Sequence, residues 1–323
     1  MYKKFYGLNR NPFELSPDPY FLFPTAKHNE ALASILYGVM RRKGFMVVSG
    51  EVGTGKTLLV RCLLEMMRRQ EVASANVFNP CLSPIEFLRY VGTDFGLRVT
   101  NLDKGALLME LNRFLITRYQ KGLTAVLVVD EAQHLEAELL EEIRLLTNLE
   151  TSQQKLLQIV LVGQPELDRK MDSANLRQLK QRVALRCQLL PLQEAETQGY
   201  ILRRLDRAGA NSRATKLFPT ETVAAVHHYS RGIPRLINTL CENALIAGYA
   251  QKSPAITCAM IHEIASDLRL NVLTPVADTN GIPSGQQALA KTLLELMQVL
   301  ERATKRTKVA YDSAQEKPET III

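Results

Sequence analysis

The sequence predicts an α/β protein, a parallel sheet flanked by helices with a small α-helical domain after it. Three observations carry this. Apolar runs at 45–49, 73–78, 123–129 and 156–162 alternate with segments of helical periodicity, the βαβα pattern of a parallel sheet. A glycine-rich loop, Gly50-Glu-Val-Gly-Thr-Gly-Lys-Thr57, lies between the first run and a helical pattern that begins at Leu58. From Gln193 to Leu270 the pattern is purely helical.

Residues 1–44 form an N-terminal aromatic segment and a helix, both expected to pack on the sheet domain. Tyr2, Phe5, Tyr6, Phe13, Tyr20, Phe21 and Phe23 would make a large apolar patch if left in water, so the segment is expected to be docked. Pro12, Pro17, Pro19 and Pro24 argue against a regular helix before Thr25, which then caps a helix carrying Ala31, Leu32, Ile35, Leu36 and Val39.

The sheet domain spans 45–191. Its strands are expected at Phe45–Ser49, Ala73–Phe78, Leu123–Val129 and Leu156–Val162, with a short one at Cys187–Leu190 closing on Pro191. Its helices are expected at Leu58–Arg69, Pro84–Phe95, Ala106–Gln120 and Ala137–Leu149. A lid domain at 192–270 holds helices at Glu194–Ala208, Pro219–Tyr229, Arg235–Gln251 and Thr257–Leu268. Residues 271–287, rich in Pro, Gly, Thr and Asn, read as a linker. Segment 288–304 repeats Leu289, Leu293, Leu296, Met297 and Leu300 at helical spacing, an amphipathic helix that needs a docking surface of its own or a partner's. Residues 305–323 read as a disordered tail.

The chemistry concentrates at the ends of the apolar runs. Glycines at 50, 53 and 55 let the backbone turn tightly enough for successive N–H groups to face phosphate oxygens. Lys56 can then reach the β/γ-phosphates and Thr57 can place its hydroxyl on Mg²⁺, at the N-terminus of the following helix. Asp130-Glu131 follows the third run, where open α/β sheets bind ligands. Taken alone the pair also suits a helix N-cap. Beside the phosphate loop, Asp130 is placed to hold Mg²⁺ and Glu131 to orient and deprotonate water. Gln164, after the fourth run, could sense the γ-phosphate or hold that water, or serve as an ordinary turn residue. Arg235, opening a helix after Gly232 and Pro234, could point back at phosphate or make a surface ion pair. Among Arg169, Lys170, Arg177, Lys180, Arg182 and Arg186, most solvate the surface, and one arginine could face the nucleotide of a neighbouring subunit.

Composition bounds the alternatives. The formal net charge of +7 permits nucleic acid without indicating it, since no basic run exceeds three residues. The five cysteines are scattered with no C-x-x-C, which argues against a zinc site and a disulfide framework and for buried apolar filler. The N-terminus lacks an apolar leader, and no window reaches the ~18 apolar residues of a membrane helix, so a cytoplasmic protein is expected.

From residue 1 to Leu270 the chain resembles the AAA+ ATPases of the ExeA type, the family of general secretion pathway protein A and its transposition-associated relatives. The resemblance runs through Phe5-Tyr-Gly-Leu8, Asn11-Pro-Phe13, Pro17-Asp-Pro19, Phe21-Leu-Phe23, His28-Asn-Glu-Ala-Leu32 and Gly50–Thr57. It continues through Val129-Asp-Glu-Ala-Gln133, Leu161-Val-Gly-Gln-Pro-Glu-Leu167, Leu176-Arg-Gln-Leu-Lys-Gln-Arg182 and Gly232-Ile-Pro-Arg-Leu-Ile-Asn238. The phosphate loop alone is specific, and the ordered set is far more so.

The resemblance implies a P-loop NTPase fold and an ATP site of Gly50, Glu51, Val52, Gly53, Thr54, Gly55, Lys56, Thr57 and Leu58 (Walker A). It implies Asp130 and Glu131 as Walker B, Gln164 at sensor 1, Arg235 at sensor 2, and Arg182 as the trans-acting arginine finger of a homo-oligomer, with Arg186 second. His28 gains a base-facing role beside the reading of a satisfied surface histidine. The secretion members continue into a membrane span and a cell-wall-binding domain, neither of which is recognisable after residue 270. Three partners therefore stay open: a secretion apparatus at the inner membrane, an exopolysaccharide exporter, and a transposase whose DNA target the ATPase selects.

Overall fold

In the computed structural model the apolar runs become one five-stranded parallel sheet, ordered β2-β3-β4-β1-β5. The structure describes residues 1–78, 81–210 and 214–270; the expected linker, amphipathic helix and tail at 271–323 lie outside them.

The described elements alternate as the periodicity predicts. In chain order they begin α1 (Tyr2–Tyr6), α2 (Ala26–Met40), β1 (Phe45–Gly50), α3 (Lys56–Arg68), β2 (Ala73–Val77), α4 (Pro84–Asp94) and α5 (Lys104–Gln120). Then come β3 (Ala125–Val129), α6 (Ala137–Leu146), β4 (Leu157–Gly163), α7 (Pro165–Met171), α8 (Arg177–Lys180) and β5 (Val183–Leu189). The helical domain follows as α9 (Glu194–Arg207), α10 (Ala214–Leu217), α11 (Thr220–Ser230), α12 (Pro234–Ala250) and α13 (Cys258–Asp267).

β1, β3 and β4 are buried along their whole length, as strands covered on both faces must be. Alternate side chains serve two helical layers. Phe45, Val47, Leu127, Ile159 and Leu161 pack with Phe87, Leu111, Leu139 and Ile143 of α4–α6. Met46, Val48, Val128, Val160 and Val162 pack with Ile35, Val39, Leu59 and Leu63 of α2 and α3. β4 pairs with β1 on one side and β3 on the other, with Ser49 opposite Gly163 and Val129 opposite Leu161. The three carboxyl ends therefore come level, which is where the glycine loop, Asp130 and Gln164 emerge.

Three local expectations need correction. The strand expected at Cys187–Leu190 begins earlier, at Val183, because it is a sheet-edge strand whose residues alternate between exposed and half-buried, so no apolar run announces it. A regular helix does form before Thr25: α1 ends at Gly7, whose φ of 68° stops it well before the first proline. The rings of residues 2–13 do not pack on the sheet domain, although the turn Pro19–Phe21 also touches α3. Tyr2, Tyr6, Leu8 and Phe13 join the core of the helical domain, with Ile201, Leu205, Phe218, Leu240 and Leu245, while α2 packs on the sheet. Polar ties hold that docking: Tyr2 Oη donates to Glu242 at 2.9 Å, Tyr6 Oη donates to the Ser253 carbonyl, and the Asn9 N–H donates to the Ala208 carbonyl.

The N-terminal segment is thus part of the helical domain's core, and Phe13 is its keystone, fully buried and edge-on to Phe218 at 5.8 Å between centroids. Phe13→Ala should cost about 3–5 kcal/mol, the usual range for emptying a buried aromatic site. Urea denaturation would measure it, and a change under about 1 kcal/mol would show the segment is not part of the folding unit.

Candidate functional site

At the carboxyl end of β1 the chain makes the turns that its glycines allow. Gly53 and Gly55 have φ of 82° and 101°, and Gly55 caps α3 in a left-handed conformation. A β-carbon on Gly53 would lie 2.8 Å from Arg235 Cβ, so this glycine also lets the helical domain approach the loop. The Arg235 N–H donates to the Gly53 carbonyl at 3.2 Å, a direct backbone tie between loop and lid. Within the loop, Lys56 Nζ donates to the carbonyls of Gly50 at 2.8 Å and Glu51 at 3.0 Å. Burial pulls the Lys56 ammonium below its usual range, while Glu131 and Asp130 pull it back up.

The carboxylates occupy distinct positions. Asp130 is buried, accepts the Thr57 hydroxyl on Oδ2 at 3.1 Å and the Glu131 N–H on Oδ1 at 2.9 Å. Burial raises its carboxyl above the ordinary aspartate value, against the pull of those two hydrogen bonds. Glu131 is held in a left-handed backbone conformation, φ 53° and ψ 35°, sparsely populated for a residue with a side chain. Its Oε2 accepts Gln133 Nε2 at 2.6 Å and faces Gln164 Nε2 at 3.4 Å.

These groups meet in one cleft of about 360 Å³. Val52, Gly53, Gly55, Lys56, Thr57 and Leu58 line it from the loop, Glu131 and Gln164 from the sheet, and Arg235 from the lid. Arg235 is exposed, with no ion pair among the described residues. Asp130 is not in the lining and reaches the cleft through Thr57. Gly50 ends β1, and the Glu51 carbonyl accepts the Thr54 hydroxyl at 2.8 Å, closing the loop on itself.

His28 is not at the cleft wall. Its ring is buried between Thr25 Oγ1 at 2.7 Å and the Thr54 carbonyl at 3.3 Å, a brace behind the loop, and burial pushes its imidazole below the usual histidine value. Arg182 and Arg186 do not line the cleft either. Arg182 donates to Thr147 Oγ1 and Arg186 pairs with Asp168 at 2.9 Å.

Other lining residues had no individual role assigned from the sequence, although Pro17 and Asp18 stood in the family stretch Pro17-Asp-Pro19. Residues 14–18 form a strap along one side, and Tyr200, Arg204 and Asn238 line the lid side. Arg204 is buried; it donates to the Pro12 carbonyl and the Tyr200 hydroxyl, and its guanidinium stacks on Phe21 at 4.8 Å. Tyr200 in turn donates to Asn238 Oδ1 at 2.9 Å. An arginine and a tyrosine four apart on one helix face are an ordinary pattern, so only the tertiary structure reveals them. Asn238 stood in the Gly232–Asn238 stretch without an assigned role.

Comparison with known proteins agrees with this architecture. Residues 39–171 match the family model of the AAA domain. The chain is 43% identical over 260 residues to general secretion pathway protein A of Aeromonas hydrophila, an alignment covering 79% of this chain and 46% of that protein. It thus spans about half the length of the curated relative it matches. Among solved structures it resembles the ADP form of Aeropyrum pernix ORC2 (TM-score 0.60, 16% identity, 86% of this chain and 81% of that one). It also resembles Pyrobaculum aerophilum Cdc6p (0.60, 15%, 82% and 74%) and Thermotoga maritima RuvB (0.51, 16%, 85% and 77%). At such identities these structures speak for the fold. The chain's glycine loop, carboxylates and helical lid are thus those of an AAA domain, and over 260 residues the chain resembles general secretion pathway protein A, an ExeA-type AAA+ protein.

Proposed function

We propose that the chain is a Mg²⁺-dependent ATPase that uses ATP binding and hydrolysis to drive or time the assembly of a partner complex. The observation that carries this is the convergence of Lys56, Thr57, Glu131, Gln164 and Arg235 on one cleft, with Asp130 bonded to Thr57. The loop amides and Lys56 suit the phosphates of a nucleotide, and the strap and lid side suit its nucleoside.

The donor set fits Mg²⁺. Thr57 and Asp130 offer hard oxygens 3.1 Å apart, and a buried carboxylate with a raised pKa gains from a neighbouring cation. When bound, the ion neutralises phosphate charge. Glu131 orients water and accepts its proton as the water oxygen bonds to the γ-phosphorus. The bond from that phosphorus to the bridging oxygen breaks, and ADP leaves with the electron pair. Gln164 and Arg235 stabilise the charge spread over the transferred group. A finger residue of a neighbouring subunit, Arg182 or else Arg186, completes the site, which suits two arginines that their own cleft does not use. The partner belongs to an export or secretion apparatus, in keeping with the relative's name. The chain works on the cytoplasmic side, and no helix among the described residues is long and apolar enough to cross a membrane.

Two measurements test this. Glu131→Gln should lower ATP turnover at least about a hundredfold while ATP stays bound, because the amide keeps the shape and loses the base. Normal turnover in that variant would refute the assignment. Arg182→Ala and Lys56→Ala proteins, each inactive alone, should regain part of the activity when mixed, since one supplies an intact loop and the other an intact finger. A verified mixed oligomer without recovery would move the finger to Arg186 or leave each subunit to act alone.

A further inference from the structure

Gln133 has no part in the chemistry above, yet its amide is bonded at both ends to residues that do. Nε2 donates to Glu131 Oε2 at 2.6 Å and also faces His134 Nδ1 at 3.3 Å. Oε1 accepts the backbone N–H of Gln164 at 3.0 Å. The Gln133 carbonyl accepts Lys170 Nζ at 2.9 Å, and the same ammonium holds the Leu135 carbonyl at 2.7 Å, so the turn carrying Gln133 is pinned to α7. A primary amide can donate to a carboxylate and accept from a peptide N–H with one head group, which neither a carboxylate nor an ammonium can do.

The space for this head group is specific. A β-carbon on Gly163 would lie 2.9 Å from Gln133 Oε1, so the residue that ends β4 must be small for the amide to reach Gln164. Gln133 itself is buried. Two amides, those of Gln133 and Gln164, therefore face the same Glu131 oxygen, and among the described residues the other oxygen accepts no hydrogen bond. Glu131 has left-handed backbone and a flexible side chain, so its carboxylate needs such an anchor to have a fixed direction.

We infer that Gln133 is a positioning residue for the hydrolytic step: it fixes Glu131 through Oε2, leaving Oε1 to receive the proton of the attacking water, and it ties that carboxylate to the strand end bearing Gln164. This rests on the ATPase reading. It goes beyond it by making the direction of Glu131, and its coupling to β4, the work of a residue that touches neither nucleotide nor water.

The test compares the full-length wild type with Glu131→Gln, Gln133→Ala and Gln133→Glu, measuring kcat, KM, equilibrium binding of a fluorescent ATP analogue and melting temperature. Gln133→Ala should lower kcat roughly 10- to 100-fold, the scale expected when a catalytic group is misdirected. Analogue affinity should stay within about twofold, since the group acts on the reaction and not on ground-state binding. Gln133→Glu still accepts the Gln164 N–H but sets a carboxylate against Glu131, so it should lose as much kcat or more. Wild-type kcat in either variant would overturn the inference and leave the ATPase reading intact, as would a higher kcat, which would make Gln133 a restraint. If Gln133→Ala loses kcat, affinity and melting temperature together while Gln133→Glu keeps all three, the residue is structural and the inference fails. A wild type that binds the analogue and does not hydrolyse ATP, alone or as an oligomer, would remove the ATPase reading and this inference with it.

Discussion

The register of β4 between β1 and β3 is the constraint on which the site depends, and one buried amide helps to set it. Gln158 is fully buried in a strand otherwise apolar; its Oε1 accepts the Gly44 N–H at 2.8 Å and its Nε2 donates to the Lys155 carbonyl at 3.0 Å. A slip of one residue would leave the amide oxygen and the Gly44 N–H without each other, at a cost of about 1–3 kcal/mol for each group left unpaired. It would also move Gln164 one step away from Glu131 and from the loop. A strand with both faces apolar has little in its pattern to resist such a slip, and the polar pin supplies what the pattern lacks.

The sheet and the loop were legible because their signals are local. Continuous apolar runs at 123–129 and 156–162 report burial on both faces, and the glycine spacing of 50–57 reports a backbone shape. Edge strand β5 was half legible, since Arg186 and Gln188 face outward and interrupt any apolar run. The ring-rich N-terminus announced that it must dock, and the sheet domain was the expected place. Its destination rests on Tyr2 with Glu242 and Phe13 with Phe218, contacts across more than two hundred positions that no periodicity encodes.

Within the site, the same division holds. Lys56, Thr57, Asp130 and Glu131 are named by motif. The environment that tunes them is not: the left-handed backbone of Glu131, the amides that face it and the burial that raises Asp130 arise only when β3 and β4 are side by side. His28 illustrates the converse, a residue legible as part of a family stretch whose contacts lie behind the loop instead of in the cleft. Lys56 and Asp130 also perturb each other, so neither has a charge state independent of the other.

The strap at residues 14–18 is fastened at both ends to different parts of the protein. Arg204 of α9 grips the Pro12 carbonyl, and Arg61 of α3, the helix that leaves the phosphate loop, donates to the Pro17 carbonyl at 2.6 Å. The strap is therefore a tether of fixed length between lid and loop helix, lying along the cleft it lines. The same residues line the cleft, so the two arginine contacts that hold the strap to lid and loop helix also hold that wall of the cleft in place.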